Sequence, residues 1–174
     1  MNPLRTLFFT HFTINRGHLI YRRPLVPSME PLMELSRRQV DALRGVQRNE
    51  TTERGAPLKS IATYLRVQPP TALDHLTVLE HLGLIERYRG KSRLTPRGRE
   101  CLIDYLRHHR VAESLFQRAG LDPQETCRAA REIDLALSHK VVERIYEAQG
   151  SPAECPHGGA IPAPSSRRSV GSRR

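Results

Sequence analysis

The segment Pro57–Gly98 decides the fold, and it has the sequence PLKSIATYLRVQPPTALDHLTVLEHLGLIERYRGKSRLTPRG. A short helical pattern, a tight break, a second helical pattern closed by Gly83 and a basic hairpin follow in close order. This order is typical of a winged helix-turn-helix, a unit that places its second helix in the major groove of DNA. The segment therefore predicts a DNA-binding domain.

Local signals predict the boundaries of the elements in this domain. Ser36 is a plausible N-cap for a first helix over 35–48, and Pro69 suits the start of a third helix, where first-turn N–H groups lack intrahelical partners. Gly83 can adopt the left-handed conformation that ends a helix. The predicted elements are helices over 35–48, 58–65 and 69–82, strands over 84–88 and 92–94, and a loop over 49–56.

Eight residues are candidate DNA contacts. The N-terminal end of the second helix of a helix-turn-helix presents short polar side chains to base edges, while cations on the wing suit phosphate or the minor groove. The carboxylate of Asp74 is repelled by phosphate unless it accepts from a cytosine amino group. Leu73 either packs on a neighbouring helix, which we favour, or contacts a thymine methyl group. The candidates are Gln68, Pro70, Thr71, Asp74, His75, Arg89, Lys91 and Arg93, and Arg87 is a fourth cation in the hairpin.

Composition supports a nucleic-acid partner and excludes other classes. The formal charge of +10 favours a polyanion, although four arginines of the C-terminal tail contribute to it. Three cysteines argue against a disulfide framework and for a reducing, cytoplasmic compartment. We expect no membrane span, because no apolar run is long enough. We expect no enzyme, because there is no nucleophile–base motif and no Gly-rich phosphate loop.

The remainder of the chain predicts a second, helical domain. Helices are expected over 96–119, 123–133 and 138–148, with Thr95 and Ser138 as N-caps, and the chain becomes irregular from Gly150. We interpret the first 28 residues as the product of an upstream start codon, with the working protein beginning at Met29 or Met33. The predicted organisation is a poorly ordered extension over 1–33, a winged helix-turn-helix domain over 34–96, a helical domain over 97–162 and a disordered basic tail over 163–174.

Three stretches together resemble the diphtheria-toxin-repressor and manganese-regulator family of metal-dependent transcriptional repressors. These are the recognition helix and wing, HRVAESL at 109–115 and CPHGGAIP at 155–162. The resemblance covers residues 34–162 and implies a mainly α fold, in which a winged helix-turn-helix precedes a helical dimerisation and metal-binding domain. It further implies a homodimer that binds an inverted-repeat, double-stranded DNA operator and represses in response to a divalent transition metal, Fe, Mn or Zn.

The resemblance also implies metal ligands. His109 and Glu113 match the family's ligand pair on the long helix, and their spacing of four places them on one face. Cys127 falls where another ligand of the same site is expected, and Asp134 falls where the family has a glutamate. The candidate metal ligands are therefore His109, Glu113, Cys127 and Asp134.

Other family ligand positions are lost in this sequence. One holds Arg131, Leu135 replaces a histidine, and the ligand of the first helix aligns with Arg38 or Gln39. An arginine is always charged and cannot coordinate a cation. We therefore expect the main site to be dismantled and an ancillary site to survive. One hypothesis is that Arg131 and Arg38 supply the positive charge of a metal by pairing with Glu113 or Asp134.

Several alternatives stay open at this point. His109 and Glu113 are either a hydrogen-bonded pair or part of a metal site with Cys127, so the regulator either responds to metal or is metal-independent and responds to a thiol or another ligand. An RNA-binding or architectural module could use the same basic surface. Cys155 and His157 have ligand spacing, but one pair cannot fill a tetrahedral site, and we interpret them as a structural turn packed on the helical domain. Cys101 is expected in the core.

Overall fold

The computed structural model describes residues 31–51 and 55–164, together with the backbone of residues 12–15 and 18–21. The predictions for the extension over 1–33 and the tail over 163–174 therefore fall mostly outside the described residues. Within that first segment, strand β1 (Phe12–Asn15) pairs antiparallel with β2 (His18–Tyr21). A 3-10 helix over Pro31–Glu34, which the sequence analysis did not predict, leads into the first domain.

Three helices form the core of the first domain. The helices are α1 (Arg37–Asn49), α2 (Leu58–Leu65) and α3 (Pro69–His81). Ser36 caps α1 as predicted, because its side chain accepts from the backbone N–H of Gln39 and the Gln39 side chain accepts from the backbone N–H of Ser36. Each helix buries one apolar stripe; the fully buried members include Val40, Leu43, Val46, Ile61, Leu76 and Leu79.

A small antiparallel sheet completes this domain. It contains β3 (Ala56–Pro57), β4 (Ile85–Tyr88) and β5 (Lys91–Leu94), in the order β3-β5-β4. The hairpin of β4 and β5 matches the prediction, whereas β3 lies at the end of the segment predicted as a loop. Ala56 pairs with Ser92, so β3 ties the start of α2 to the wing.

The second part of the chain is helical, with boundaries close to the predicted ones. It contains α4 (Pro96–Arg118), α5 (Pro123–Ile133) and α6 (His139–Ala148). Thr95 caps α4 through the N–H of Gly98, and Asp122 forms a capping box with Glu125 on α5. Ser138 occupies the N-cap of α6, but among the described contacts its side chain makes no capping hydrogen bond.

The long helix α4 belongs to two cores. Its N-terminal half contributes Cys101, Leu102 and Tyr105 to the core of the first domain, and Cys101 is buried as predicted. Its C-terminal half buries Val111, and α4 also contacts α5 and α6. The segment after α6 returns along α4, where Arg107 donates to the carbonyl of Pro162 at 2.6 Å and Arg110 donates to the carbonyl of Ala160.

The junction between the wing and α4 depends on a glycine. A Cβ atom added to Gly98 would lie 2.0 Å from the backbone oxygen of Leu84, far inside van der Waals contact. We expect Gly98→Ala to lower the free energy of unfolding by about 3 kcal/mol or more, because backbone must shift to admit the methyl group. Urea unfolding monitored by circular dichroism measures this change.

The matched control is Gly83→Ala. Gly83 has a φ of +69° and no atom within 4 Å of the added Cβ among the described residues. That variant carries only the conformational cost of a left-handed alanine, about 1 kcal/mol. Equal losses from the two variants would contradict the close contact at Gly98.

Candidate nucleic-acid interface and metal centre

The N-terminal half of α3 presents a polar face to solvent. Gln68, Pro70, Thr71 and Asp74 are exposed, and His75 is half-buried. They lie opposite the buried stripe of Ala72, Leu76 and Leu79. The Gln68 side chain makes no capping hydrogen bond, so it is not engaged by its own helix. Leu73 is half-buried, in keeping with the packing role that we favoured.

The wing presents three cations rather than four. Arg89, Lys91 and Arg93 are exposed, whereas Arg87 donates to Thr77 Oγ1 at 3.3 Å and Glu80 Oε2 at 3.2 Å on α3. Arg87 therefore fixes the wing to the recognition helix instead of extending toward solvent.

The tip of the wing has an exposed aromatic ring that the sequence analysis did not single out. Tyr88 is 72% exposed, and the Arg89 guanidinium lies 5.1 Å from its ring centroid. Arg89 and Gly90 both have positive φ, 48° and 74°, which makes a tight turn that projects the cations outward.

A cluster of metal-binding side chains surrounds Glu113 in the helical part. His109 Nε2 and His157 Nδ1 both lie 3.2 Å from Glu113 Oε1, and Cys127 Sγ lies 3.8 Å from His109 Nε2. Two groups of donor atoms have all members within 4.8 Å of one another. These groups are His109, Glu113 and Cys127, and Glu113, Cys155 and His157.

Three separate segments position these donors. One turn of α4 aligns His109 with Glu113, and α5 brings Cys127 against the same face. The segment after α6 contributes Cys155, which is buried, and His157, which is exposed; Gly159 holds the turn through a hydrogen bond to the Cys155 N–H at 2.9 Å. The structure therefore places Cys155 and His157 among the candidate metal donors, whereas the sequence analysis interpreted them as a structural turn.

Buried opposite charges set the protonation states in this cluster. Burial acts to lower the pKa of His109, but hydrogen bonds to Asp134 and Glu113 outweigh it and raise that pKa to about 9. Burial acts to raise the pKa of Glu113, but hydrogen bonds from His109 and Cys155 and the charges of His109 and His157 lower it to about 2. Without a metal, the pair is an imidazolium and a carboxylate.

Asp134 has a different environment from the other predicted ligands. It is fully buried, its carboxylate pairs with Arg37, and its Oδ2 lies 2.9 Å from His109 Nδ1. It belongs to neither donor group. A carboxylate on the outer nitrogen of a histidine orients the ring and leaves Nε2 directed at a metal.

The structure corrects the charge-substitution hypothesis. Arg38 is exposed, and Arg131 pairs with Asp41 at 3.6 Å instead of with Glu113 or Asp134. The guanidinium beside Asp134 belongs to Arg37, which the sequence analysis did not name. The sequence around Asp134, which directly follows α5, did not predict this contact, because Arg37 is 97 residues away in the chain.

The chemistry of the donors fits a transition metal. Imidazole, carboxylate and thiolate together are the ligands of zinc and iron, and the mixed set disfavours magnesium and calcium. His109, Glu113 and Cys127 are all at most half exposed, so a bound ion would be largely shielded from solvent. The residues present therefore fit a divalent ion at this position.

Comparisons with known proteins find similarity to transcriptional regulators and to a metal-binding domain. Residues 95–163 match the family model described as the iron dependent repressor, metal binding and dimerisation domain. An uncharacterized HTH-type transcriptional regulator from Aeropyrum pernix is 32% identical over 98 residues, which are 56% of this chain and 54% of that protein. The chain thus matches about half the length of this curated relative.

Solved structures share the fold. The crystal structure of a hypothetical protein from Sulfolobus solfataricus has a TM-score of 0.70 at 29% identity, and the match covers 74% of this chain and 100% of that chain. A manganese-dependent transcriptional repressor in complex with manganese has a TM-score of 0.59 at 26% identity, with 72% of this chain and 58% of that chain covered. These matches confirm the predicted fold class and the resemblance drawn from the sequence.

The comparisons also agree with the expectation that the chain is no enzyme, since the matching family and the relatives with described roles regulate transcription. Of the helices in the described ranges, none is both long and apolar enough to span a bilayer.

The pKa of His109 leads to a pH dependence of stability in metal-free protein. A folded-state pKa of about 9 against an ordinary 6.5 stabilises the fold fully below pH 6.5, and this contribution is lost as the pH rises through 9. We expect wild type to lose about 2 kcal/mol more than His109→Gln over this interval. Urea unfolding in chelator at both ends of the interval measures the difference, and parallel losses in the two proteins would contradict the assigned ion pairs.

Proposed function

We propose that this chain belongs to the diphtheria-toxin-repressor and manganese-regulator family and is a DNA-binding transcriptional regulator of metal-ion homeostasis. It acts as a repressor, binding an inverted-repeat operator as a homodimer in response to a divalent transition metal. The observation that carries this proposal is the presence, in one chain, of an exposed recognition helix with a cationic wing and a cluster of metal donors around Glu113.

In this proposal α3 enters the major groove of the operator. Thr71 and Gln68 present a hydroxyl and an amide near the start of the helix, where base edges are reached. Arg89, Lys91 and Arg93 on the wing neutralise phosphates on the flanking backbone, which contributes affinity rather than sequence choice. Arg87 sets the angle between the two contacts by holding β4 against α3.

His109, Glu113 and Cys127 would hold the metal, with Cys155 and His157 as further donors. A bound ion would supply a divalent charge shared by side chains of α4, α5 and the segment after α6. Asp134 orients His109 rather than binding the ion, because its carboxylate already accepts from Arg37 and from His109 Nδ1. The sulfur and imidazole donors favour Fe or Zn over magnesium.

The homodimer is supported by the family domain that residues 95–163 match, which is described as one of dimerisation as well as metal binding. A two-fold dimer presents two α3 helices to two half-sites related by the same symmetry. An inverted-repeat operator is therefore the DNA counterpart of this assembly.

A second candidate function is a metal-independent or thiol-responsive regulator with the same DNA-binding surface. Cys127 supports it, because this half-buried thiol lies 3.8 Å from His109 Nε2 and no disulfide partner occupies it. Oxidation of Cys127 would remove a donor from the site and add a polar group next to Glu113.

The decisive experiment selects duplexes from a random library with the purified protein and then measures their affinity. Fluorescence anisotropy is recorded with chelator, with Zn²⁺, Mn²⁺ or Fe²⁺, and after oxidation with peroxide. The proposal expects an inverted repeat, dimeric stoichiometry and an affinity at least about tenfold higher with a metal, typical of allosteric coupling. Equal affinity with chelator and with each metal would favour the second candidate, and enrichment of no sequence from the duplex library would refute both.

Metal binding is expected to depend on the carboxylate of Glu113. Glu113→Gln removes the donor shared by both groups, so Zn²⁺ affinity should fall by about 100-fold or more, whereas Asp134→Asn should cost about 10-fold through the orientation of His109. Competition with a chromophoric chelator measures both affinities. Glu132→Gln, an exposed carboxylate on α5, is the control and should bind like wild type. Unchanged affinity in Glu113→Gln would contradict the proposed site.

The two DNA contacts are expected to fail differently. Lys91→Ala should weaken binding to all duplexes and reduce the slope of log affinity against log salt by about 1 per protomer. Thr71→Ala should instead reduce discrimination between operator and random duplex while leaving that slope unchanged. Anisotropy titrations over a range of salt separate the two effects. Lys140→Ala on α6 is the control for charge alone, and a loss equal to that of Lys91→Ala would argue against a role for the wing.

A further inference from the structure

Arg37 joins the first helix of the DNA-binding domain to the helical domain. Its Nη1 lies 3.3 Å from both Asp134 Oδ2 and the Tyr105 hydroxyl oxygen, and its Nη2 donates to Asp134 Oδ1 and, at 2.5 Å, to the carbonyl of Arg131. The guanidinium therefore contacts one residue of α4 and two at the C-terminal end of α5, from a position at the start of α1.

The burial of this contact makes it energetically important. The side chain of Asp134 is 0% exposed and that of Arg37 is 26% exposed. A buried carboxylate that loses its cation is strongly destabilised, more than an exposed ion pair would suggest. A planar guanidinium satisfies both carboxylate oxygens and a carbonyl at once, which neither a lysine nor a glutamine can do.

The same junction does not fit a metal ion. The family resemblance places ligands on the first helix, at Arg131 and at Leu135, and this chain has no donor at the last two. The remaining carboxylate, Asp134, is engaged by Arg37 and His109. A cation at this junction is therefore supplied by the protein itself.

We propose that Arg37 is a positioning residue that holds α1 against α4 and α5 without any metal, so that the metal-dependent step of the proposed function takes place at Glu113 and not at this junction. This inference rests on the proposed function, because it concerns how the proposed DNA-binding domain is held against the helical domain. It assigns that role to an ion pair that forms with or without metal. His109 lies between the two sites, because its Nε2 faces Glu113 and its Nδ1 contacts Asp134. The Glu113 cluster is therefore linked to Arg37 on α1 indirectly, through His109 and Asp134.

Hydrogen exchange followed by mass spectrometry tests the inference in the absence of DNA. In wild type, a peptide covering 37–49, which contains no donor of the Glu113 cluster, should exchange at rates that agree within about twofold in chelator and in saturating Zn²⁺ or Mn²⁺. Arg37→Gln should accelerate exchange in this peptide about tenfold or more, with and without metal. Arg37→Lys, which retains the positive charge but not the planar guanidinium, should give intermediate exchange rates.

Arg44→Gln is the matched control. Arg44 is another arginine of α1, and its guanidinium lies at the same 5.8 Å from the Tyr105 ring as that of Arg37, but it has no contact with Asp134 among the described pairs. Its exchange should follow wild type.

Two results would overturn the inference. One is exchange in wild type that slows about tenfold in the 37–49 peptide when metal is added, since metal would then make the junction. The other is an Arg37→Gln protein with wild-type rates. If Arg37→Gln fails to fold, the wild-type comparison and Arg37→Lys still decide the question. Because no DNA is present, a failure of the proposed operator binding leaves this test unaffected.

Discussion

The carboxylate of Asp134 is the constraint on which the arrangement of the two domains depends. It is fully buried, and a buried charge is tolerated only with partners. Its two cations come from different parts of the structure, Arg37 from the start of α1 and His109 from α4. One side chain thus explains both why α1 lies on the helical domain and why the His109 ring has its Nε2 turned to Glu113.

Most of the first domain could be predicted because its signals are local. Ser36, Pro69, Gly83 and Thr95 mark helix ends through contacts with residues a few positions away, and the observed helices begin or end within about two residues of the expected points. Strand β3 escaped prediction because two residues show no alternation, and its pairing partners on the wing are more than thirty residues away. The inward turn of Arg87 escaped for a similar reason, since sequence alone does not show that Glu80 faces it.

In the candidate site, too, only the residues with local signals could be predicted from the sequence. His109 and Glu113 were found because a spacing of four on one helix predicts proximity, and Cys127 came from the family pattern rather than from physics. Cys155, His157 and Arg37 reach the site only through the packing of separate segments, 42 to 97 residues away from their partners Glu113 and Asp134 in the chain. The C-x-H spacing at 155–157 was a usable signal, but its neighbour Glu113 could supply the missing donor only once the chain had folded.

The continuity of α4 has one more consequence. The close approach of Gly98 to Leu84 anchors one end of this helix to the wing, and the His109–Glu113 face lies three turns further along the same rigid rod. Adding or removing a single residue between them would rotate the helical part relative to the wing by about 100° and carry Asp134 away from Arg37. The length of this stretch is therefore as constrained as the ion pair itself, and a chain that kept every donor but altered this register would lose its domain junction.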